Sequence, residues 1–79
     1  MFYVYVLRSL KDNKRYVGLT SDISRRFREH QNGLVKSTRH RRPFELIYYE
    51  SYENKSEAMK REKFFKTGKG REFLNSLSR

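Results

Sequence analysis

A short polar turn joins two strand-like segments at the start of the chain, and this connection restricts the folds open to it. Residues 2–7 are rich in β-branched and aromatic side chains, and residues 15–19 have the same character. The polar turn between them, residues 11–14, is too short to connect parallel strands. The two segments are therefore predicted to form an antiparallel β-hairpin.

A helix, a basic loop and a third strand are predicted after the hairpin. Apolar residues at helical spacing indicate a helix over residues 22–31, and Gly33 follows where a left-handed C-terminal cap is needed. The candidate N-terminal caps are Thr20, Ser21 and Asp22. Residues 34–43 form a basic loop that ends at a proline, and residues 44–49 form the third strand.

Two more helices complete the prediction. Asn54 and Glu57 resemble a capping box that opens a helix over residues 55–66, and Gly68 and Gly70 are expected to terminate it. A short final helix has Phe73, Leu74 and Leu77 as its apolar side. The predicted order is ββαβαα, an α+β fold in which a three-stranded, mainly antiparallel sheet packs against helices. Residues 1–79 are expected to form a single domain.

Charge and composition narrow the classes of function. Nineteen Lys and Arg against nine Asp and Glu give a formal charge of +10, which attracts polyanions, and the interleaved aromatic residues favour nucleic acid as the partner. The absence of cysteine excludes disulfides, thiolate metal sites and cysteine nucleophiles. No apolar segment is long enough for a bilayer, and no signal peptide is recognisable, so no membrane association and a cytoplasmic location are expected.

Two tyrosines and a glycine are the first candidate site residues. Because side chains alternate along a strand, Tyr5 is predicted to lie near Tyr16 across the hairpin. Gly18 shares the face of Tyr16 and leaves space where a side chain would crowd a ligand. Equally, both tyrosines could be ordinary sheet aromatics and Gly18 a bulge.

Three charged or titratable residues on the predicted helices are the other candidates. Arg26 and His30 are four residues apart beside the apolar stripe of the first helix, while Arg25, Arg28 and Glu29 fall on its outer side. Arg26 suits phosphate binding or surface packing of its stem, and His30 suits catalysis or the helix dipole. Glu62 lies within the apolar stripe of the next helix. A carboxylate buried there needs a partner, either a metal ion or a cation in a structural salt bridge.

The ordered set of these residues resembles one family. The triplets Tyr3-Val4-Tyr5 and Tyr16-Val17-Gly18, followed by Arg26 and by Glu62, are similar to the signature of the GIY-YIG nuclease superfamily. Within it the chain resembles the small stand-alone proteins that are similar to an excinuclease nuclease domain. The segment Arg39-His40-Arg41-Arg42-Pro43-Phe44 also matches that subfamily.

The resemblance implies metal-dependent hydrolysis of DNA phosphodiester bonds, with a place in DNA repair or recombination. Glu62 would hold one Mg²⁺ or Mn²⁺ ion, and Arg26 would clamp a phosphate oxygen. Tyr5 would deprotonate or orient the attacking water, with Tyr16 positioning it and His30 as a further catalytic candidate. This role requires the pKa of the phenol to be depressed, which Arg26 and the metal are expected to achieve.

The basic residues outside this set are predicted to bind the nucleic acid, with DNA the expected partner. They are Arg25, Arg28, Lys36, Arg39, His40, Arg41 and Arg42. The alternative function is a noncatalytic nucleic-acid-binding module that keeps the nuclease fold and acts through phosphate contacts alone. A separate targeting protein is a further candidate partner, and the monomer is the expected state.

Overall fold

The computed structural model describes residues 1–77 of the chain. Residues 78 and 79, which belong to the predicted domain, lie outside the described residues. The strands are β1 (Phe2–Ser9), β2 (Arg15–Thr20) and β3 (Phe44–Tyr52), and the helices are α1 (Ile23–Gln31), α2 (Lys55–Phe65) and α3 (Gly68–Leu77), with a short 3₁₀ helix at Arg39–Arg41. The predicted order ββαβαα and the α+β class are confirmed.

The sheet has β1 at its centre. Its order is β2-β1-β3, and both pairings are antiparallel, as predicted. In the register of the first pairing Tyr5 lies opposite Gly18 and Leu7 opposite Tyr16. In the second pairing Tyr5 lies opposite Tyr49. The central strand is therefore hydrogen-bonded along both edges, and its side chains alternate between two covered faces.

Each face of the sheet has its own apolar core. On one face Val4 and Val6 pack with residues of the two C-terminal helices, namely Ala58, Phe65, Leu74 and their neighbours. On the other face Tyr5 and Leu7 pack with Phe44, and Tyr16, Phe27 and Leu46 close the cluster. Helix α1 and helices α2 and α3 thus cover opposite faces of the sheet. This arrangement follows from the strand alternation, because neighbouring side chains of β1 must point to different helices.

The turn of the hairpin is held by a buried serine. The hydroxyl oxygen of Ser9 accepts hydrogen bonds from the backbone N–H groups of Lys11 (3.1 Å) and Asp12 (3.2 Å), and the hydroxyl group donates to the carbonyl oxygen of Arg41 (2.6 Å). Asn13 has a φ of +62°, a left-handed conformation that asparagine tolerates in turns. The turn is therefore closed locally and tied to the basic loop.

Helix α1 begins and ends as its sequence predicts. The side chain of Asp22 accepts a hydrogen bond from the backbone N–H of Arg25 (3.0 Å), so Asp22 is the N-terminal cap. Gly33 has a φ of +75°, and the backbone N–H of Leu34 donates to the carbonyl oxygen of Glu29 (2.9 Å). This is the left-handed termination for which glycine is preferred.

The C-terminal half departs from the prediction in two respects. Strand β3 continues to Tyr52 instead of ending at residue 49. Asn54 caps α2 as expected, but Gly68 and Gly70 begin α3 and do not terminate α2. Gly70 is needed for packing, because a Cβ atom there would collide with the carbonyl oxygen of Phe64. A glycine signal that usually means the end of a helix here marks the close approach of two helices.

The helices of the described chain are short and polar on their outer sides. Between residues 1 and 77 no helix combines the length and the apolar character that crossing a membrane requires.

The two glycines of α3 provide a matched test of this packing. Gly70→Ala is expected to lower the free energy of unfolding by roughly 1–3 kcal/mol, because the added methyl group forces α2 and α3 apart. Gly68→Ala adds the same group where nothing lies within 4 Å, so it is expected to be neutral or slightly stabilising. Urea denaturation of both variants measures the difference. Equal effects of the two substitutions would contradict this account of Gly70.

Candidate active site

Tyr5 lies in the core and reaches the site through its hydroxyl group. Its residue surface is 2% exposed, and its ring packs beside the backbone of Gly18. A Cβ atom at position 18 would collide with the Tyr5 hydroxyl group. The ring centroids of Tyr5 and Tyr16 are 6.3 Å apart, so the hairpin brings the two tyrosines together as the strand alternation predicts.

His30 is buried against both tyrosines. It is 0% exposed, its Nε2 atom lies 2.9 Å from the hydroxyl oxygen of Tyr5, and its ring centroid is 5.1 Å from that of Tyr16. Its Nδ1 atom lies 2.8 Å from the hydroxyl oxygen of Thr38, which is 1% exposed. His30 therefore belongs to the site in the interior, and a role limited to the dipole of α1 does not account for its contacts.

The three polar groups form one hydrogen-bonded chain from Tyr5 through His30 to Thr38. The hydroxyl group of Thr38 also lies 3.4 Å from the carbonyl oxygen of Val35, to which it donates. Because the hydroxyl hydrogen of Thr38 points to Val35, the Thr38 oxygen accepts a hydrogen bond from the N–H at Nδ1 of His30. The lone pair at Nε2 of His30 then accepts a hydrogen bond from the hydroxyl group of Tyr5. Thr38 thereby selects the tautomer in which His30 is a proton acceptor for Tyr5.

Burial controls the acidity of both groups. It raises the pKa of Tyr5 to about 12, although the guanidinium of Arg26 acts in the opposite direction. Burial also lowers the pKa of His30 to about 4, and the positive charge of Arg26 adds to this effect. Near neutral pH the tyrosine is protonated and the imidazole is uncharged. Arg26 lowers the pKa of the phenol, as expected, but desolvation is the larger effect and the net shift is upward.

Arg26 occupies the border between the site and solvent. Its side chain is 36% exposed and pairs with Glu29 through Nη1 and Oε1 at 3.0 Å. Its guanidinium also contributes to the environment of the Tyr5 hydroxyl group. The side chain of Glu29 is 32% exposed, so it lies at the edge of the outer side of α1, where it pairs with Arg26. Arg25 and Arg28 are exposed, as predicted.

Glu62 lies at the margin of the buried face of α2. Ala58 and Phe65 are buried there, whereas the side chain of Glu62 is 25% exposed. Its partner is Lys66, whose Nζ lies 3.4 Å from the carboxylate and whose side chain is 58% exposed. Glu62 and Lys66 therefore form a partly exposed ion pair one helical turn apart, and not the buried salt bridge that its place in the apolar stripe suggested. The charge of Glu62 nevertheless reaches Tyr5, whose pKa it raises.

The donor set at Glu62 is compatible with a hard divalent cation. Among residues 1–77 no cluster of three or more His, Cys, Asp or Glu side chains could enclose a metal ion. Mg²⁺ and Mn²⁺ are oxygen-seeking ions, and Mg²⁺ commonly binds through one carboxylate while it keeps several waters. An accessible carboxylate with one weakly held lysine partner meets that requirement.

The predicted basic surface lies mostly in solvent. The exposed members are Arg25, Arg28, Lys36, Arg39, His40 and Arg42. Arg41 differs, because its side chain is 27% exposed and pairs with Asp12 at 3.2 Å. Arg41 therefore helps to fix the loop on the hairpin turn, while the other six side chains remain accessible to a partner.

One residue of the site carries no signal in the sequence. Thr38 lies in the irregular loop, where no periodicity indicates which way a side chain points. It is recognised only from the partner that the fold brings to it. The contact of Glu29 with Arg26 is different, because residues three apart are neighbours on a helix.

The environment of His30 predicts a pH-dependent stability. Because the pKa of His30 falls from 6.5 to about 4 on folding, the unfolded chain binds a proton that the folded chain excludes in this range. The free energy of unfolding is expected to fall by about 2 kcal/mol between about pH 7 and about pH 5 from this group alone. Urea denaturation at both pH values measures the loss.

His30→Gln should remove most of this pH dependence even though it lowers the stability itself. The chain has one other histidine, His40, which is exposed, so His40→Gln is the matched control and should retain the pH dependence. The same pH dependence in both variants would show that His30 is not the group responsible.

Comparison with known proteins identifies the family to which this chain is similar. The family model described as the GIY-YIG catalytic domain matches residues 1–75. A UPF0213 protein of Staphylococcus saprophyticus is 40% identical over 77 residues, which cover 96% of this chain and 93% of that protein. A UPF0213 protein of Clostridium perfringens is 45% identical over 67 residues, which cover 84% of this chain and 71% of that protein.

A solved structure gives the same result for the fold. The solution NMR structure of a UPF0213 protein from Bacillus halodurans is 40% identical in sequence, with a TM-score of 0.58, and the match covers 98% of this chain and 85% of that chain. The match of the family model spans nearly all of the described residues. This chain therefore belongs to the GIY-YIG family.

Proposed function

We propose that this chain is a metal-dependent endonuclease that hydrolyses phosphodiester bonds in DNA. The observation that carries the proposal is the contact between the hydroxyl group of Tyr5 and Nε2 of His30 at 2.9 Å. The charges of Arg26 and Glu62 act on this hydroxyl group in opposite directions: Arg26 lowers the pKa of Tyr5 and Glu62 raises it. A proton acceptor, a cation and a carboxylate around one hydroxyl group are the groups that water attack on a phosphodiester requires. Membership of the GIY-YIG family supports the same reaction class.

Arg26 is proposed to bind the scissile phosphate. Its planar guanidinium can donate two parallel hydrogen bonds to phosphate oxygens, and its 36% exposure leaves it accessible. Glu29 holds the same guanidinium from the other side, so it positions Arg26 before the substrate arrives. Bound in this way, the positive charge offsets the negative charge that grows on the phosphoryl group.

Tyr5 is proposed to accept the proton of the attacking water as it passes its own to His30. With a pKa of about 12, Tyr5 forms almost no phenolate near neutral pH, so it cannot act as a preformed base. It can take a proton on its oxygen while its hydroxyl proton moves to Nε2 of His30, which is uncharged and has a lone pair there. The products are a hydroxide nucleophile, a neutral tyrosine and an imidazolium. Negative charge developing on the phosphate stabilises this imidazolium.

Glu62 is proposed to hold one Mg²⁺ or Mn²⁺ ion. A bound divalent ion supplies Lewis-acid polarisation of the phosphate and stabilises the leaving oxygen. Lys66 must give up its contact with the carboxylate, which costs little because an exposed pair of this kind contributes about 0.5 kcal/mol or less. Tyr16, which packs against both Tyr5 and His30, is proposed to position the water and the phenol.

Nicking of supercoiled plasmid tests the proposal. Purified wild-type protein is expected to convert supercoiled DNA to the open circular form with Mg²⁺ or Mn²⁺ and not with EDTA. Glu62→Gln and Arg26→Ala are each expected to lower the rate by about 100-fold or more, because each removes a charge that stabilises the transition state. Glu57→Gln is the matched control, since it makes the same chemical change on the exposed side of α2 and should leave the rate unchanged.

Two outcomes of the nicking assay would contradict the proposal. Equal nicking by wild type, Glu62→Gln and Arg26→Ala would assign the activity to a contaminating nuclease. No nicking of plasmid, branched or single-stranded DNA by the wild type with either metal would defeat the enzyme proposal.

A noncatalytic nucleic-acid-binding module is the second candidate function. Two observations favour it: the pKa of Tyr5 is raised instead of lowered, and Lys66 already contacts Glu62 in the free protein. A binding module would retain salt-dependent affinity for DNA through the exposed basic residues. DNA binding without nicking under every metal condition would select this function over the enzyme.

A further inference from the structure

A groove of about 550 Å³ lies where the start of β2 faces the junction of α2 and α3. Its rim carries the four cationic residues Lys14, Arg15, Lys66 and Arg71. Its floor is apolar and includes Val17, Phe65 and Leu74. In the described part of the chain no acidic residue lines the groove. None of these cations was part of the basic surface indicated by the sequence.

Three of the four cations are not neutralised by the protein itself. Within residues 1–77 no ion pair is formed by Lys14, Arg15 or Arg71, whereas Arg8 pairs with Glu45 at 2.7 Å. Four positive charges around one concave surface repel one another and raise the local concentration of anions. The charge pattern therefore favours a polyanionic occupant.

The hairpin turn holds one side of the rim in place. The carbonyl oxygen of Lys14 accepts a hydrogen bond from the backbone N–H of Ser9 (2.9 Å), and its own N–H donates to Asp12 Oδ1 (2.9 Å). The carbonyl oxygen of Arg15 lies 3.5 Å from Nη2 of Arg41, which donates to it. The backbone that presents Lys14 and Arg15 is thus ordered before a ligand binds, which lowers the entropic cost of binding.

Two residues that line the groove also contact residues of the candidate active site. Tyr16 lines the groove and also packs against Tyr5 and His30, at ring-centroid distances of 6.3 Å and 5.1 Å. Lys66 lines the groove and pairs with Glu62 at 3.4 Å. An occupant of the groove therefore lies against Tyr16 and Lys66, one contact away from His30 and from Glu62.

We propose that this groove binds the phosphodiester backbone of the nucleic acid beside the scissile bond. The cationic rim would contact phosphate oxygens, and the apolar floor would lie against the sugars. This inference rests on the proposed function, because the contacts of Tyr16 and Lys66 with the candidate active site are what make the substrate strand the occupant.

Salt dependence of DNA binding tests the groove. Binding of a fluorescent duplex oligonucleotide is measured by anisotropy in EDTA, so that no cleavage occurs, over a series of salt concentrations. In the double variant Lys14→Gln/Arg71→Gln, the slope of log Kobs against log salt is expected to become shallower by about 2, since each lost phosphate contact removes about 0.9. The control Lys55→Gln/Lys60→Gln removes the same charge from the outer side of α2 and should leave the slope nearly unchanged.

Equal loss of slope in the two double variants would overturn the proposal, because the cations would then act only through net charge. Polyglutamate that displaced DNA at an equivalent concentration of charge would also overturn it and make an acidic polypeptide the occupant. The outcome is separable from that of the nicking assay. If the salt slope is unchanged in Lys14→Gln/Arg71→Gln but Glu62→Gln loses metal-dependent nicking, the groove proposal fails and the enzyme proposal stands. If the slope becomes shallower in Lys14→Gln/Arg71→Gln but the wild type does not nick DNA, the groove proposal stands and the enzyme proposal fails.

Discussion

Strand β1 is buried between two helical layers, and the other features of the molecule follow from that burial. Val4 and Val6 are 0% exposed on the side of α2 and α3, and Tyr5 and Leu7 are 2% and 0% exposed on the side of α1. Tyr5 is therefore a core residue whose polar end must find a partner, since an unpaired buried hydroxyl group is costly. Nε2 of His30 is that partner. The packing of the central strand therefore also brings Tyr5 and His30 together in the site.

The same burial determines the chemistry of the site in the free protein. Desolvation disfavours the charged form of each group, which raises the pKa of Tyr5 and lowers that of His30. The result is a neutral, hydrogen-bonded pair beside the cation of Arg26. In the proposed reaction, the substrate phosphate would be both the target and the group that brings negative charge to this pair and raises the pKa of His30.

Neighbouring residues on α2 have separate tasks. Arg61 turns away from Glu62, contacts Glu50 through two hydrogen bonds of 2.8 Å and 3.1 Å, and lies over aromatic rings of the C-terminal helices. Glu50 also accepts hydrogen bonds from Tyr48 (2.5 Å) and Tyr52 (2.6 Å). This network ties α2 to β3 and so determines where Glu62 is presented. A carboxylate saturated by four donors is structural, while the less constrained Glu62 is left available to a ligand.

Local features of the sequence were sufficient for the hairpin, for the helix cap at Asn54, for a set of three candidate caps of α1 that includes Asp22, and for the proximity of Tyr5 and Tyr16. Each depends on a period or a turn preference that residues close in the chain encode. Thr38 and the second role of Gly70 were not predictable, since each depends on residues that meet only in the folded chain. The identity of the elements and the family signature they carry can thus be read from the order of residues. The partners of His30 and the direction in which the pKa of Tyr5 moves are settled by folding alone, because desolvation depends on what surrounds a group in space.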